Sequence, residues 1–196
     1  MTVADLVGRH LVAHGVGHVF GVVGSGNFHV TNAMLAAGAR FVAAVHEGGA
    51  ASMADGYARV SGRLAALTVH QGPGLTNALT GVTEAAKSRT PLLVLTPEAT
   101  SPRSNFHLDV AGLAASIGAS YVRVRAEQAA ADVAAACRTA VAGAGATVLL
   151  GLPLDVQGRP TDDTATVVAA APSPPSAPDV SALVDALAAS RRPVFI

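Results

Sequence analysis

The stretch His46-Glu47-Gly48-Gly49-Ala50-Ala51-Ser52-Met53-Ala54-Asp55-Gly56-Tyr57-Ala58-Arg59 decides how the rest of the chain is read. It follows Phe41-Val42-Ala43-Ala44-Val45, an apolar run that reads as a buried strand. It continues as an Ala-rich segment with Met53, Tyr57 and Val60 at helical spacing. Glu47 therefore stands at a strand-to-helix switch. In a parallel α/β sheet such switches lie at the carboxyl edge of the strands, where these folds hold their ligands. Two glycines after the carboxylate leave room for a flat group to approach closely. The same residues also suit a plain helix start, with Glu47 favoured by the helix dipole and the glycines serving the turn. On this stretch alone both readings stand.

Outward from it, the chain alternates strands and helices. Thr2 is a plausible N-cap for a helix with Leu6, Val7, Leu11 and Val12 on one face, closed by Gly15. Val19 to Val23 reads as a short strand entering the turn Gly24-Ser25-Gly26-Asn27, and a helix over 28–37 leads back to the strand before Glu47. Leu64 to Val69 is a third strand, delivering His70-Gln71-Gly72-Pro73-Gly74-Leu75-Thr76-Asn77 at its end. A helix from Leu75 to Lys87, a strand Leu92 to Thr96 and a polar loop from Pro97 to Asn105 follow. A helix near Leu108 to Ser116, the strand Tyr121 to Val124, a helix from Glu127 to Val141 and the strand Thr147 to Leu150 complete the alternation. This rhythm predicts an α/β fold: a doubly wound, mainly parallel six-stranded sheet with helices on both faces. Its strands should end near Val23, Val45, Val69, Thr96, Val124 and Leu150.

One domain is expected over residues 1–160. The prolines from Pro160 to Pro178 then mark residues 161–178 as a linker. Residues 179–196 read as the beginning of a further, truncated domain: Asp179 caps a helix carrying Val180, Leu183, Val184 and Leu187, and Arg191 to Ile196 starts a strand. The polypeptide is thus expected to be part of a longer one.

Composition narrows the function. With 51% hydrophobic residues the chain of 196 can build a sizeable core, and zero net charge with 13% charged residues shows no electrostatic footprint for nucleic acid or an anionic membrane. Low charge with a mean hydropathy of +0.44 suggests that a partner subunit or further chain covers part of the surface. No apolar stretch reaches membrane-spanning length and the N-terminus lacks a signal-peptide pattern, so a cytoplasmic protein is expected. The single cysteine, Cys137, reads as a small apolar residue on a helix. His10, His14, His18 and His29 lack metal-ligand spacing. Gly24-Ser25-Gly26 lacks the following acid of a dinucleotide site, and no phosphate-loop lysine is present.

Three motifs taken together resemble a known family. Val19-Phe20-Gly21-Val22 with Gly24-Ser25-Gly26, His46-Glu47-x-Gly49-Ala50 with Ala54-Asp55-Gly56-Tyr57-Ala58-Arg59, and Gly72-Pro73-Gly74-x-Thr76-Asn77 are similar to the N-terminal, pyrimidine-binding domain of thiamine-diphosphate enzymes. The group is that of acetolactate synthase and benzoylformate decarboxylase. The resemblance implies an enzyme, a lyase or transferase, acting on a 2-oxo acid by decarboxylation, carboligation or both. Its glutamate matches Glu47, which would hydrogen-bond the far ring nitrogen of the aminopyrimidine and so help the cofactor deprotonate its thiazolium carbon. A largely buried site would let Glu47 share a proton with that ring.

By the same resemblance Gly24, Pro73, Gly74 and Asn77 are cofactor-contact candidates, and Gly48 and Gly49 let the pyrimidine lie flat. Ser25 and His70 match a serine and a histidine that face the substrate in some decarboxylases. Val23 replaces a common proline and His107 stands where synthases often have glutamine, departures that bear on the substrate. The family's diphosphate and magnesium site, a Gly-Asp-Gly motif followed by asparagine, has no counterpart here, so thiamine diphosphate and magnesium are expected to be held by another domain. The implied partners are a diphosphate-binding domain of another subunit, a second copy in a homodimer or tetramer pairing through the helices over 50–60 and 75–87, and a small-molecule substrate. Inactivity of this piece alone is expected. A natural small subunit of a two-chain decarboxylase and a non-catalytic pyrimidine-type domain are the alternatives.

Overall fold

The apolar runs form six strands, and every pairing between them is parallel. The computed structural model describes residues 1–162 and 178–194. In chain order the elements are α1 (Val3–Ala13), β1 (His18–Gly21), α2 (Phe28–Ala36), β2 (Arg40–Ala43), α3 (Glu47–Ser61), β3 (Ala65–Thr68), α4 (Pro73–Lys87), β4 (Leu92–Glu98), α5 (Val110–Ile117), β5 (Ser120–Arg123), a 3-10 turn (Ala126–Gln128), α6 (Ala129–Val141), β6 (Thr147–Pro153), α7 (Leu154–Gln157) and α8 (Ser181–Ala189). The sheet order is β2-β1-β3-β4-β6-β5. From β1 the chain steps outward to β2 and then returns to the other side of β1 with β3. That reversal makes the gap between β1 and β3 a topological switch point, with both strands delivering their loops to one edge.

Two cores sandwich the sheet. One gathers Val7 and Leu11 of α1, Met34 of α2 and Val133 of α6 over Val19, Leu93, Leu95 and Leu150. The other gathers Ala54 of α3, Leu75 and Val82 of α4 and Ala114 of α5 over Phe20, Leu67, Leu92, Val94 and Leu149. Successive residues of β4 thus alternate between the two cores, and all seven of its positions are buried. This is why the run carries no apolar/polar alternation.

The edges differ from the sequence expectation. Phe41 to Val45 does not form a buried strand: β2 pairs with β1 alone, none of its residues is buried, and Val45 lies outside it, fully exposed. An apolar run reports what a surface could bury, and here one side of the strand has no neighbour among the described residues. β1 stops at Gly21 rather than near Val23, because the chain turns off to follow a buried asparagine. β4 and β6 run on past Thr96 and Leu150 because they pair with each other to Glu98 and Pro153. Helices α3 and α4 begin earlier than expected, at Glu47 and Pro73, so both motif residues stand on first helical turns. Residues 191–194 form no strand, and Phe195, Ile196 and most of the expected linker lie outside the described residues. Asp179 accepts from Ser181 N at 3.0 Å ahead of α8, which buries none of its residues.

Local chemistry explains the motif spacing. Thr2 and Asp5 form a capping box on α1, and the hydrogen bonds from Thr2 hold the Asp5 carboxyl below its ordinary range. Helices α3 and α4 meet at Gly81, where a Cβ would come within 2.6 Å of Ala51 Cβ. The buried Asp55 accepts from Thr90 Oγ1 at 2.6 Å and Arg59 Nε at 2.9 Å, while the Arg59 guanidinium reaches Glu84 on α4 at 3.0 Å. The Asp55 and Arg59 positions therefore join α3, α4 and the entry to β4. Cys137 is buried on α6, and burial pushes its thiol up to about 12, which suits a core residue rather than a nucleophile. No helix among the described residues is long and apolar enough to cross a membrane.

Asp55→Ala should lower stability by roughly 2 kcal/mol, because it strands the Thr90 hydroxyl and frees Arg59. Thermal unfolding followed by circular dichroism measures it, and an unchanged midpoint would remove this network from the account of the fold.

Candidate functional site

The loops after β1, β2 and β3 share the carboxyl edge because those strands are parallel neighbours. The first is held by Asn27, which is fully buried. Its Nδ2 donates to Val22 O at 3.1 Å and Thr68 Oγ1 at 2.9 Å, and its Oδ1 accepts from Gly24 N at 2.7 Å. Asn27 sits at the N-cap of α2 but makes no capping bond; its amide ties the loop to β3 instead. In the sequence Asn27 reads only as one residue of a turn. The partner that gives it this role, Thr68, is far away in the chain.

Loop 24–27 places Ser25 beside His70 at the end of the β3 segment, with Ser25 Oγ 3.3 Å from His70 Nε2. His70 Nδ1 lies 3.0 Å from the carbonyl oxygen of Gln71. A carbonyl only accepts, so Nδ1 carries a proton, and in the neutral ring Nε2 accepts from the Ser25 hydroxyl. Gly24 is required by this pair: a Cβ there would collide with the His70 ring. Phe106 packs edge-on against His70 with ring centroids 5.6 Å apart, and its backbone fills the space beside Gly72, whose φ of +65° favours glycine. Phe106 carried no signal in the sequence because it belongs to the loop after β4.

Glu47 is the first residue of α3, and His46 before it caps the helix by accepting from Gly48 N at 3.0 Å. Asn77 Nδ2, on the first turns of α4, donates to Glu47 Oε2 at 3.1 Å. Gly74 lies between the two candidate catalytic residues: a Cβ there would sit 3.1 Å from His70 Cβ and 3.5 Å from Glu47 Oε1. Gly48 faces His46 and the Asn77 backbone, whereas a Cβ on Gly49 would meet nothing. The open surface beside the carboxylate is therefore at Gly49, whereas Gly74 is a buried point of close approach between His70 and Glu47. Glu47 itself is half-buried in this chain, so a largely buried site needs a further surface laid over it.

Glu47, His70, Ser25, Gly24, Gly74 and Asn77 thus form one continuous group. Pro73 is the exposed first residue of α4, and its carbonyl accepts from Thr76 Oγ1 at 3.1 Å. His107 donates from Nδ1 to Ala99 O at 3.0 Å, closing the loop that carries Phe106. Glu98, missed in the sequence, ends β4 buried, bonded to the Tyr121 hydroxyl at 2.5 Å and to Arg123 Nε at 2.9 Å. Burial first, and then that bond to Glu98, push the Tyr121 phenol well above its ordinary range.

Comparison with known proteins places this arrangement. The family model described as thiamine pyrophosphate enzyme, N-terminal TPP binding domain, matches residues 1–111. The chain belongs to the thiamine pyrophosphate enzymes. It is 42% identical to sulfoacetaldehyde acetyltransferase from Alcaligenes xylosoxydans xylosoxydans over 98 residues, 50% of this chain and 16% of that protein. It is 30% identical to the catabolic acetolactate synthase of Raoultella terrigena over 200 residues, 98% of this chain and 36% of the synthase. The solved thiamine diphosphate-dependent 4-hydroxybenzoylformate decarboxylase of Rhodococcus jostii RHA1 superposes with a TM-score of 0.72 at 27% identity, covering 81% of this chain and 31% of the decarboxylase. The chain thus spans about a third or less of the relatives it matches. The thiamine pyrophosphate-binding domain shown by these matches contains all three loops of the site.

Gly24→Ala in this domain should separate Ser25 from His70 while leaving the fold in place, since the new methyl displaces the ring at a half-buried position. The His70 imidazole resonances should shift, and resonances unchanged from the parent would mean that Gly24 does not set the pair.

Proposed function

We propose that this chain supplies the pyrimidine-binding half of a thiamine diphosphate site in an enzyme that acts on a 2-oxo acid, by decarboxylation, carboligation or both, with Glu47 activating the cofactor. The observation that carries the reading is the setting of Glu47: one carboxylate oxygen held by Asn77, the other beside the backbone of Gly74, with the open position of Gly49 next to it, on the first turn of α3. The donor set fits the group, because an oriented carboxylate beside a glycine-lined surface suits a flat aminopyrimidine. Bound thiamine diphosphate supplies the carbon nucleophile and the electron sink.

This chain's own residues orient and move protons. Glu47 hydrogen-bonds a ring nitrogen, Asn77 stops the carboxylate from turning away, and Ser25 with His70 meets the substrate carboxylate and exchanges a proton across 3.3 Å. The diphosphate and magnesium fall to a domain of another subunit, so the chain alone is inactive. The cytoplasm suits the single buried thiol, Cys137.

Glu47→Gln in the complete enzyme should keep cofactor binding but slow hydrogen-deuterium exchange at the thiazolium carbon by about a hundredfold or more, the usual weight of a positioned acid or base. His70→Ala should leave that exchange nearly unchanged and slow only substrate-dependent steps. Exchange at the parental rate in Glu47→Gln would leave Glu47 a helix-start carboxylate.

The partner surface is the outward face of α3 and α4. Gly49 and Gly56 occupy helical positions where a side chain would meet nothing among the described residues, with Met53 and Val60 exposed beside them. Glycine inside a helix costs roughly 0.5–1 kcal/mol relative to alanine, so close approach of a second copy is the reading that accounts for them. Sedimentation should show a dimer or larger species, and a clean monomer at high concentration would move the main interface to other domains.

A further inference from the structure

Ser25 is exposed on the loop between β1 and α2, and its hydroxyl stands 3.3 Å from His70 Nε2. The proton on His70 Nδ1 goes to the Gln71 carbonyl at 3.0 Å, so the ring presents its unprotonated nitrogen to the hydroxyl. A hydroxyl, a base within reach and a third group that fixes the tautomer of the base are the parts that activate a serine, and their spacing is often looser before a ligand binds. The imidazole is also held from its sides. Phe106 packs edge-on with ring centroids 5.6 Å apart, and Gly24 leaves the ring the room that a Cβ would take.

The surroundings favour negative charge at the same place. Ser25 lies shortly before α2, whose N-cap residue, Asn27, makes no capping bond because its amide is engaged with Val22, Thr68 and Gly24. The first-turn N–H groups of α2 therefore lack a side-chain cap, and the positive end of the helix dipole lies at the loop that carries the hydroxyl.

We propose that Ser25 is a nucleophile with His70 as its general base, and that the pair takes acyl groups from activated esters and passes them to water, an esterase-type activity that uses neither Glu47 nor thiamine diphosphate. As the Ser25 oxygen bonds to the ester carbonyl carbon, its proton passes to His70 Nε2, and the charge displaced onto the carbonyl oxygen develops near the start of α2. The bond to the leaving alkoxide or phenolate then breaks, and the leaving group takes the proton from His70. Water attacks the acyl-serine next and gives a proton to His70, which returns it to the serine oxygen as the carboxylic acid leaves. Ester and water become acid and alcohol, with no oxidant or further co-reactant.

Diisopropyl fluorophosphate arrests such a serine after the first step, because the new oxygen-phosphorus bond replaces phosphorus-fluorine and the product does not turn over. This chain, treated with it and digested, should carry the diisopropylphosphoryl group on Ser25 by peptide mass. Ser25→Ala should abolish the label, and His70→Gln should slow it by about a hundredfold or more, the usual weight of a positioned base. Hydrolysis of p-nitrophenyl acetate should fall by a similar factor in Ser25→Ala. A parent unlabelled at Ser25, equal ester hydrolysis in Ser25→Ala, or parental labelling in His70→Gln overturns the proposal. A further measurement on the parent guards against a variant that fails to fold: unfolding in urea should abolish the label, and Ser25 labelled as fast on the unfolded chain would be ordinary serine reactivity and overturn the proposal equally.

Discussion

Parallel pairing of β2, β1 and β3 is the constraint on which the site depends. It forces three strand-to-helix turns onto one edge of the sheet, and the reversal of chain direction at β1 opens a gap between two of them. Everything functional is then a matter of how closely the turns approach. At Gly24 the backbone comes nearer to His70 than a side chain allows, and at Gly74 it packs tightly between His70 and Glu47. The glycines are thus explained by distances to residues far away in the chain, and less by the turns they occupy.

Holding such turns in place takes buried polar groups that are fully paired. Asn27 binds two carbonyl or hydroxyl acceptors and one amide donor, and Asp55 binds a hydroxyl and a guanidinium. Each joins elements that apolar packing would leave free to slide, since dispersion and burial are non-directional. Asn27 fixes the loop of Ser25 to β3, and Asp55 fixes α3, and so Glu47 at its start, to the entry of β4. The cores on the two faces supply the stability, and these two residues supply the registration of the site.

The half-buried state of Glu47 connects this domain to its assembly. The carboxylate chemistry proposed for Glu47 depends on excluding water, and the described residues leave the carboxyl edge and the outer face of α3 uncovered. The fully exposed Val45 stands two residues before Glu47 in the chain. The relatives that this chain matches, of which it covers 16% to 36%, have further chain with which to cover that edge.

The sequence by itself determined the α/β class, the six strands and their order along the chain, and the identity of Glu47, Ser25, His70, Gly74 and Asn77 as one group. Periodicity and switch-point logic report these directly, because they depend on near neighbours along the chain and on a resemblance carried by three short motifs. Only the tertiary structure decided that Phe41 to Val45 lies at an edge, that Asn27 reaches Thr68, that His46 caps α3, and that Phe106, Glu98 and Gln71 stand where they do. Each of these rests on a partner distant in sequence or on a missing neighbour strand. Local pattern records what a residue is able to bury or bond, whereas packing selects which partner it meets.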